Sequence, residues 1–119
     1  MPIIRDIKKL ISQCISGTAK IVRSEEDQLS INEKAKYFSL YQFYTCFFCM
    51  RVRRIINKLD IPIEYRDVQQ NFDYRNELLR EGGSIQVPCL RIEKDGKTRW
   101  MYESREIIDY LERHFGRTL

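Results

Sequence analysis

No stretch of this 119-residue chain approaches the roughly 18 consecutive apolar residues that a membrane-spanning helix needs. No secretory leader is expected either. The opening Met1-Pro2-Ile3-Ile4-Arg5-Asp6-Ile7-Lys8-Lys9 interrupts its apolar residues with charge too early. Cysteine is scarce. Cys14, Cys46, Cys49 and Cys89 are too few, in too long a chain, for a small secreted disulfide scaffold. The single histidine, His114, falls in the last turn of a helical stretch, where a favourable dipole contact explains it. Internal repeats and low-complexity tracts are absent. Charge of one sign is also limited: 21 Lys plus Arg stand against 17 Asp plus Glu, and the two signs are interleaved. That balance does not argue for nucleic acid, which is not an expected partner. What remains is a composition of 43% hydrophobic and 32% charged residues, suited to one globular domain with a modest core. A reducing, cytoplasmic setting is the natural expectation, and there a close cysteine pair is catalytic or metal-binding.

Three zones follow one another. In residues 1–22, Ile3, Ile4, Ile7, Leu10, Ile11, Cys14 and Ile15 share one helical face, with Arg5, Lys8, Lys9, Ser12 and Gln13 on the other. Gly17 ends or weakens that helix. Two readings stand: a helix docked on the domain behind it, or a helix lying peripherally on a membrane with its basic residues toward lipid headgroups. Residues 24–37 are polar and read as a linker or an exposed helical turn. Residues 38–116 read as βαβ followed by αββα. The first strand covers about Ser39–Tyr44 and the first helix Phe47–Leu59, with Val52, Ile55, Ile56 and Leu59 inward. Ile63–Val68 is the second strand. A short helix over Tyr74–Glu81 is expected to be capped by Asp73 and stopped by Gly82-Gly83. Pro88–Glu93 and Thr98–Tyr102 form a hairpin across Asp95-Gly96. The last helix, Arg105–Phe115, is expected to be capped by Ser104 and to turn Ile107, Ile108 and Leu111 inward.

The chemistry gathers around Cys46-Phe47-Phe48-Cys49. An apolar run, Leu40-Tyr41-Gln42-Phe43-Tyr44, precedes it and a helical stretch follows. Strand, CxxC, helix is the context in which the motif signals redox chemistry. A helix start offers Cys46 unpaired N–H groups and a positive dipole end, both of which favour a thiolate. Cys49 lies one turn on, placed to resolve a mixed disulfide at Cys46. The alternative is two buried apolar cysteines. Gln86-Val87-Pro88-Cys89 is the second element. A cis Pro88 would free the Val87 backbone to pair with an extended peptide, although a trans bond is expected from residues alone, since only about 5–6% of X-Pro bonds are cis. The third element is Tyr102-Glu103-Ser104, either a plain helix cap or a helix N-terminus that binds a ligand carboxylate while Glu103 receives an ammonium. Cys89 is read as a buried apolar filler, as is Cys14. Trp100 is read as core or sheet surface.

Taken together, Cys46-Phe47-Phe48-Cys49, Val87-Pro88 and Glu103-Ser104, in this order, resemble a glutaredoxin-like thioredoxin fold. The Glu103-Ser104 pair, with Leu40-Tyr41-Gln42-Phe43 upstream, resembles the N-terminal domain of glutathione S-transferases. The resemblance covers about residues 38–116. It implies an α/β chain: a four-stranded mixed sheet as domain 38–119, carrying residues 1–37 as a helical extension and linker. It also implies a glutathione-dependent thiol–disulfide oxidoreductase acting on disulfides or glutathionylated proteins. In that implied site Cys46 is the nucleophile and Cys49 the resolving thiol. Val87, before a cis Pro88, pairs with the cysteinyl unit of glutathione, Glu103 and Ser104 hold its γ-glutamyl end, and Tyr44 lines the site. Here the resemblance overrides the base-rate preference for a trans Pro88.

Two departures matter. Phe47 stands where glutaredoxins usually have proline, and relatives lacking that proline include some that bind a two-iron iron–sulfur cluster between two protomers and glutathione, with Cys46 as the ligand here. Cluster binding is therefore a second function to weigh, and a glutathione-binding module with little turnover a third. Many relatives also carry a lysine just ahead of the first cysteine, where this chain has Phe43 and Tyr44. Arg51 and Arg53 are the substitutes to consider, or Arg53 is simply a solvated helix-face charge. A complete glutathione transferase is not expected, because few residues follow the last helix.

Overall fold

The structure, a computed structural model, describes residues 20–116. The expectations for residues 1–19, including the amphipathic face and Cys14, lie outside the described residues. At the centre runs β1 (Phe38–Gln42), all five residues of which are buried. It pairs in parallel with β2 (Glu64–Asp67) and antiparallel with β3 (Cys89–Lys94). Strand β4 (Lys97–Met101) pairs antiparallel with β3, giving the order β2-β1-β3-β4. The mixed four-stranded sheet read from the sequence is therefore present. The parallel β1–β2 pair needs a crossover, and α2 (Phe47–Lys58) supplies it. At the hairpin, Asp95 (φ 53°) and Gly96 (φ 75°) both adopt positive φ, the geometry of a tight two-residue turn.

Two apolar clusters follow from this layering. On one face Leu40, Leu90 and Ile92 meet Val52 and Ile56 of α2, together with Ile107, Leu111 and Phe115 of α4 (Ser104–Phe115). Ile55 and Ile108, both expected inward, are only partly buried at the edge of this cluster. On the other face Tyr41, Val68, Leu78 and Cys89 form a smaller cluster, with Trp100 and Tyr102 packed against it.

The polar stretch 24–37 holds a regular helix, α1 (Glu25–Ala35). Ser24 Oγ accepts the Asp27 N–H at 3.1 Å, acidic residues fill the first turn, and Lys34 lies in the last, all favourable to a helix. Ala35 is 1% exposed and belongs to the main core, against which Ile21 and Ile31 also pack. Polar side chains fasten this helix to the rest. Arg23 donates to the Phe115 carbonyl at 2.5 Å, and Gln28 donates to the Asp60 carbonyl at 2.9 Å.

Several local expectations need correction. Helix α3 (Phe72–Glu77) is capped by Asn71, whose Oδ1 accepts the N–H groups of Asp73 and Tyr74 at 2.9 and 3.3 Å. Asp73 sits two residues past the cap position and instead places its charge in the positive first turn. After α3 the chain widens into a π-helical turn, Leu78–Gly82, closed by Gly83 at φ 91°. A Cβ on Gly82 would come within 2.5 Å of the Tyr102 hydroxyl and 2.9 Å of the Trp100 ring, so glycine is required there. Ser104 is the first residue of α4 rather than its cap. The cap position falls on Glu103, whose side chain makes no capping bond. Strand β1 stops at Gln42 because the Phe43 carbonyl turns away to accept the Cys46 N–H at 3.3 Å.

The burial of Ala35 is testable. An uncompensated buried carboxylate is strongly destabilising, so Ala35→Asp is expected to cost about 3 kcal/mol or more of unfolding free energy in denaturant titrations. An unchanged midpoint would mean that the stretch is a loose linker.

Candidate active site

The strand register brings the chemical segments together. Tyr41 faces Cys89 across β1 and β3, and Leu90 faces Met101 across β3 and β4. Continuing past those pairs, the turn after Gln42, the Val87-Pro88 segment and Glu103-Ser104 all leave the sheet at the same end. The three sequence motifs therefore share one side of the molecule.

Cys46 is the N-cap of α2 and has an extended backbone. Its Sγ accepts the Cys49 N–H at 3.3 Å, so sulfur fills the role that a serine or aspartate oxygen plays at other helix starts. It is half-buried, whereas Cys49 is 0% exposed. Burial above all, then contact with the Cys46 thiol, pushes the Cys49 thiol up to about 12, while the Phe43 backbone and Arg53 work in the opposite direction. The two sulfurs of one helical turn thus differ sharply in access. Cys89 is also fully buried, and desolvation pushes its thiol up to about 12 against the Tyr102 hydroxyl and the Met101 backbone. It is the buried filler expected from the sequence.

The Val87–Pro88 peptide is cis, as the resemblance implied and the base rate did not. Pro88 is buried, Val87 is half-buried, and β3 begins only at Cys89. Among the described residues, Val87 N–H and C=O enter none of the backbone bonds outside the regular elements. Glu103 is exposed at the start of α4, and Ser104 beside it is half-buried. The Tyr102 hydroxyl donates to the Ser84 carbonyl at 3.2 Å, tying the loop ahead of Pro88 to β4.

Around Cys46 the surface is aromatic. Tyr44, Phe47, Phe48 and Met50 are all exposed, Phe47 by 66%. The Phe47 and Phe48 rings meet edge to face at 5.5 Å. Arg53 is neither absent from the site nor simply solvated. Its guanidinium donates to Gln42 Oε1, to the Phe43 carbonyl at 3.3 Å and to the Tyr44 carbonyl at 3.0 Å, and it lies 4.9 Å from the centre of the Tyr44 ring. Arg51 is exposed on the helix surface. Gln42 is a buried polar residue beside the candidate site that sequence reasoning did not single out. Its signal was a lone amide inside the apolar run Leu40–Tyr44.

The donor set does not suit a metal or an iron–sulfur cluster within the chain. Among the described residues no group of three or more His, Cys, Asp and Glu side chains converges. Of the three described cysteines, only Cys46 is accessible. None of the described helices is long and apolar enough to cross a membrane.

The buried thiols set a pH dependence. Cys49 and Cys89 keep their protons to about 12 when folded but lose them from about 9 when unfolded. The unfolded state therefore holds fewer protons across that window, and folding stability falls as pH rises from about 9 toward 12. Denaturant midpoints measured across this range are expected to fall in the native protein and to fall less steeply in Cys49→Ala/Cys89→Ala, where the hydroxyls of Tyr41, Tyr65 and Tyr102, also pushed up by burial, remain. Identical slopes would contradict the burial of both thiols.

Comparison with known proteins agrees with this geometry. The sequence family described as glutathione S-transferase, N-terminal domain, matches residues 40–118. No curated protein sequence matches significantly. Among solved structures, maleylacetoacetate isomerase from Anaeromyxobacter dehalogenans 2CP-1, with GSH bound in its active site, is similar at 26% identity and a TM-score of 0.52. The match covers 66% of this chain and 37% of that one. Glutathione S-transferase isozyme E7 from Drosophila melanogaster is similar at 25% identity and a TM-score of 0.53, over 68% of this chain and 36% of that one. A thioredoxin-like protein shares the fold at 23% identity and a TM-score of 0.51, over 62% of this chain and 97% of that one. This chain spans little more than a third of the length of the isomerase and transferase it matches. The match over residues 40–118 and the mixed sheet that carries it make this chain a member of the glutathione S-transferase N-terminal domain family, with a thioredoxin-like fold.

Proposed function

We propose that this chain is a glutathione-linked thiol–disulfide oxidoreductase acting through the Cys46–Cys49 dithiol. One observation carries the reading: an accessible Cys46 sulfur at a helix N-cap, one turn from a buried Cys49 thiol. A structural cysteine pair has no need of such unequal exposure, but a nucleophile and its resolving partner do. The glutathione bound in the similar isomerase supports the choice of cosubstrate.

In this reading Cys46 Sγ attacks the glutathione sulfur of a glutathionylated protein and gives up its proton to solvent. The protein thiolate leaves, and Cys46 carries glutathione as a mixed disulfide. A second glutathione attacks that disulfide, returning Cys46 and forming oxidised glutathione. With a protein disulfide, Cys46 joins one sulfur and releases the other. Cys49 then attacks Cys46 Sγ, frees the second protein thiolate and leaves a Cys46–Cys49 disulfide, which two glutathione molecules reduce. Val87 would pair its free backbone groups with the cysteinyl unit. Glu103 and Ser104 would hold the γ-glutamyl end, and Tyr44 would flank the bound tripeptide. The domain division at residues 37 and 38, a cytoplasmic setting and a peripheral membrane contact through residues 1–22 belong to the same proposal. Cluster ligation by Cys46 has no supporting observation.

The test is reduction of a glutathione mixed disulfide coupled to glutathione turnover. Cys46→Ser is expected to fall to the uncatalysed background. Cys49→Ser is expected to keep deglutathionylation while losing most reduction of protein disulfides. Full activity in Cys46→Ser would overturn the mechanism.

A further inference from the structure

Arg53 is distinguished by where its donors go. Like several arginines among the described residues it enters no ion pair, but it alone reaches the turn ahead of Cys46. Its guanidinium spends its donors on neutral acceptors instead: Gln42 Oε1 and the carbonyls of Phe43 and Tyr44. Those carbonyls belong to the turn that delivers Cys46, since the Phe43 carbonyl also accepts the Cys46 N–H. The fork of a guanidinium suits this task, because one planar group reaches several acceptors in fixed directions, which a lysine ammonium does not.

Gln42 adds an independent observation. It is 0% exposed, and while Oε1 accepts from Arg53, its Nε2 has no partner among the described residues. An orphaned buried donor costs about 1–3 kcal/mol. A core built for stability alone would hold an apolar residue at this end of β1. The ionisable groups beside Arg53 are Cys49, Tyr44 and Tyr65, all neutral when protonated. Among the described residues no carboxylate pairs with this charge, and it favours the thiolate of Cys49 as the smallest of the influences on that thiol.

We propose that Arg53, anchored on the buried amide of Gln42, is the positioning residue of this dithiol, holding the Phe43-Tyr44 turn and directing its charge onto Cys49. The inference rests on the redox reading above. When Cys46 carries a mixed disulfide, Cys49 loses its proton to solvent and its sulfur attacks Cys46 Sγ. The bond to the departing thiol breaks, that thiol leaves with the electron pair, and the Cys46–Cys49 disulfide forms. Arg53 favours the charged form of Cys49 that this step needs.

The experiment uses the full chain carrying Cys14→Ser, mixed in reduced form with the aromatic disulfide 5,5′-dithiobis(2-nitrobenzoic acid). Attack by Cys46 releases one coloured thiolate, and attack by Cys49 on the mixed disulfide releases a second. The readout is the ratio of the second rate constant to the first. Arg53→Met is expected to lower that ratio severalfold, through the lost charge and the loosened turn together. Arg53→Lys, which keeps the charge but not the fork, is expected to lower it less, and Gln42→Leu to move it in the same direction. If Arg53→Met does not fold, Arg53→Lys and Gln42→Leu carry the test. Ratios within about twofold of the parent in Arg53→Met, or in Gln42→Leu where Arg53→Met does not fold, overturn the role of Arg53. Release of a single equivalent by the parent itself would instead overturn the dithiol reading, so the two failures are distinct.

Discussion

The structure depends on the burial of β1. Phe38, Ser39, Leu40, Tyr41 and Gln42 are covered on both faces and paired along both edges, so the strand has no solvent side. A strand in that position cannot shift by one residue without exchanging Leu40 for Tyr41 between two different clusters. Its register therefore fixes where it ends, and its end fixes where Cys46 begins α2. The helix is held in turn by Val52 and Ile56, which enter the same cluster as Leu40. The turn that carries Cys46 is thus located by apolar packing several residues away from any sulfur.

The two faces of β1 are secured by different means. The α2 and α4 side is closed by aliphatic and aromatic packing, including Phe38 against Phe115 at 5.0 Å. The opposite side is smaller and uses polar contacts. The Tyr41 hydroxyl donates to Glu77 and accepts from Arg66 at 2.8 Å, while Arg66 pairs with Glu77 at 2.6 Å and lies against the Tyr41 and Tyr74 rings. Burial, followed by the bond to Glu77, pushes the Tyr41 hydroxyl well above its usual range, so it stays neutral. This network binds β1, β2 and α3 into one unit. It also supports the π-helical turn whose Gly82 lies beneath Tyr102, so the loop leading to Pro88 is braced from below.

Most of the scaffold was legible because its signals are local or periodic. Val52 and Ile56 in α2, Ile107 and Leu111 in α4, and the Asp95-Gly96 turn are read directly from spacing and residue type. The helix over Glu25–Ala35 was not, because its sequence is largely polar and only Ala35 is fully buried. Its fastening relies on Arg23 and Gln28 reaching carbonyls of residues 115 and 60, contacts that no local pattern encodes. Asn71 was overlooked as a cap because Asp73 is equally eligible by type, and only the backbone decides between them. The site divides in the same way. Cys46, Cys49, Val87-Pro88 and Glu103-Ser104 are motif residues, named as candidates from the sequence alone. Gln42 and the posture of Arg53 depend on how β1 meets α2, which the motif does not contain.

That posture changes the picture of the CxxC itself. By sequence its surroundings are aromatic and poor in charge, with Phe43 and Tyr44 ahead of it and Phe47 and Phe48 within it. The surface fits that description, but the underside of the turn does not. A guanidinium with no carboxylate partner among the described residues occupies it, held by one buried amide and two carbonyls. A charge in water is worth little at a distance, whereas one beside a buried thiol is weakly screened. The exposed rings of Tyr44, Phe47 and Phe48 offer an apolar approach to Cys46, while in the proposed role Arg53 acts on Cys49, the sulfur that water does not reach.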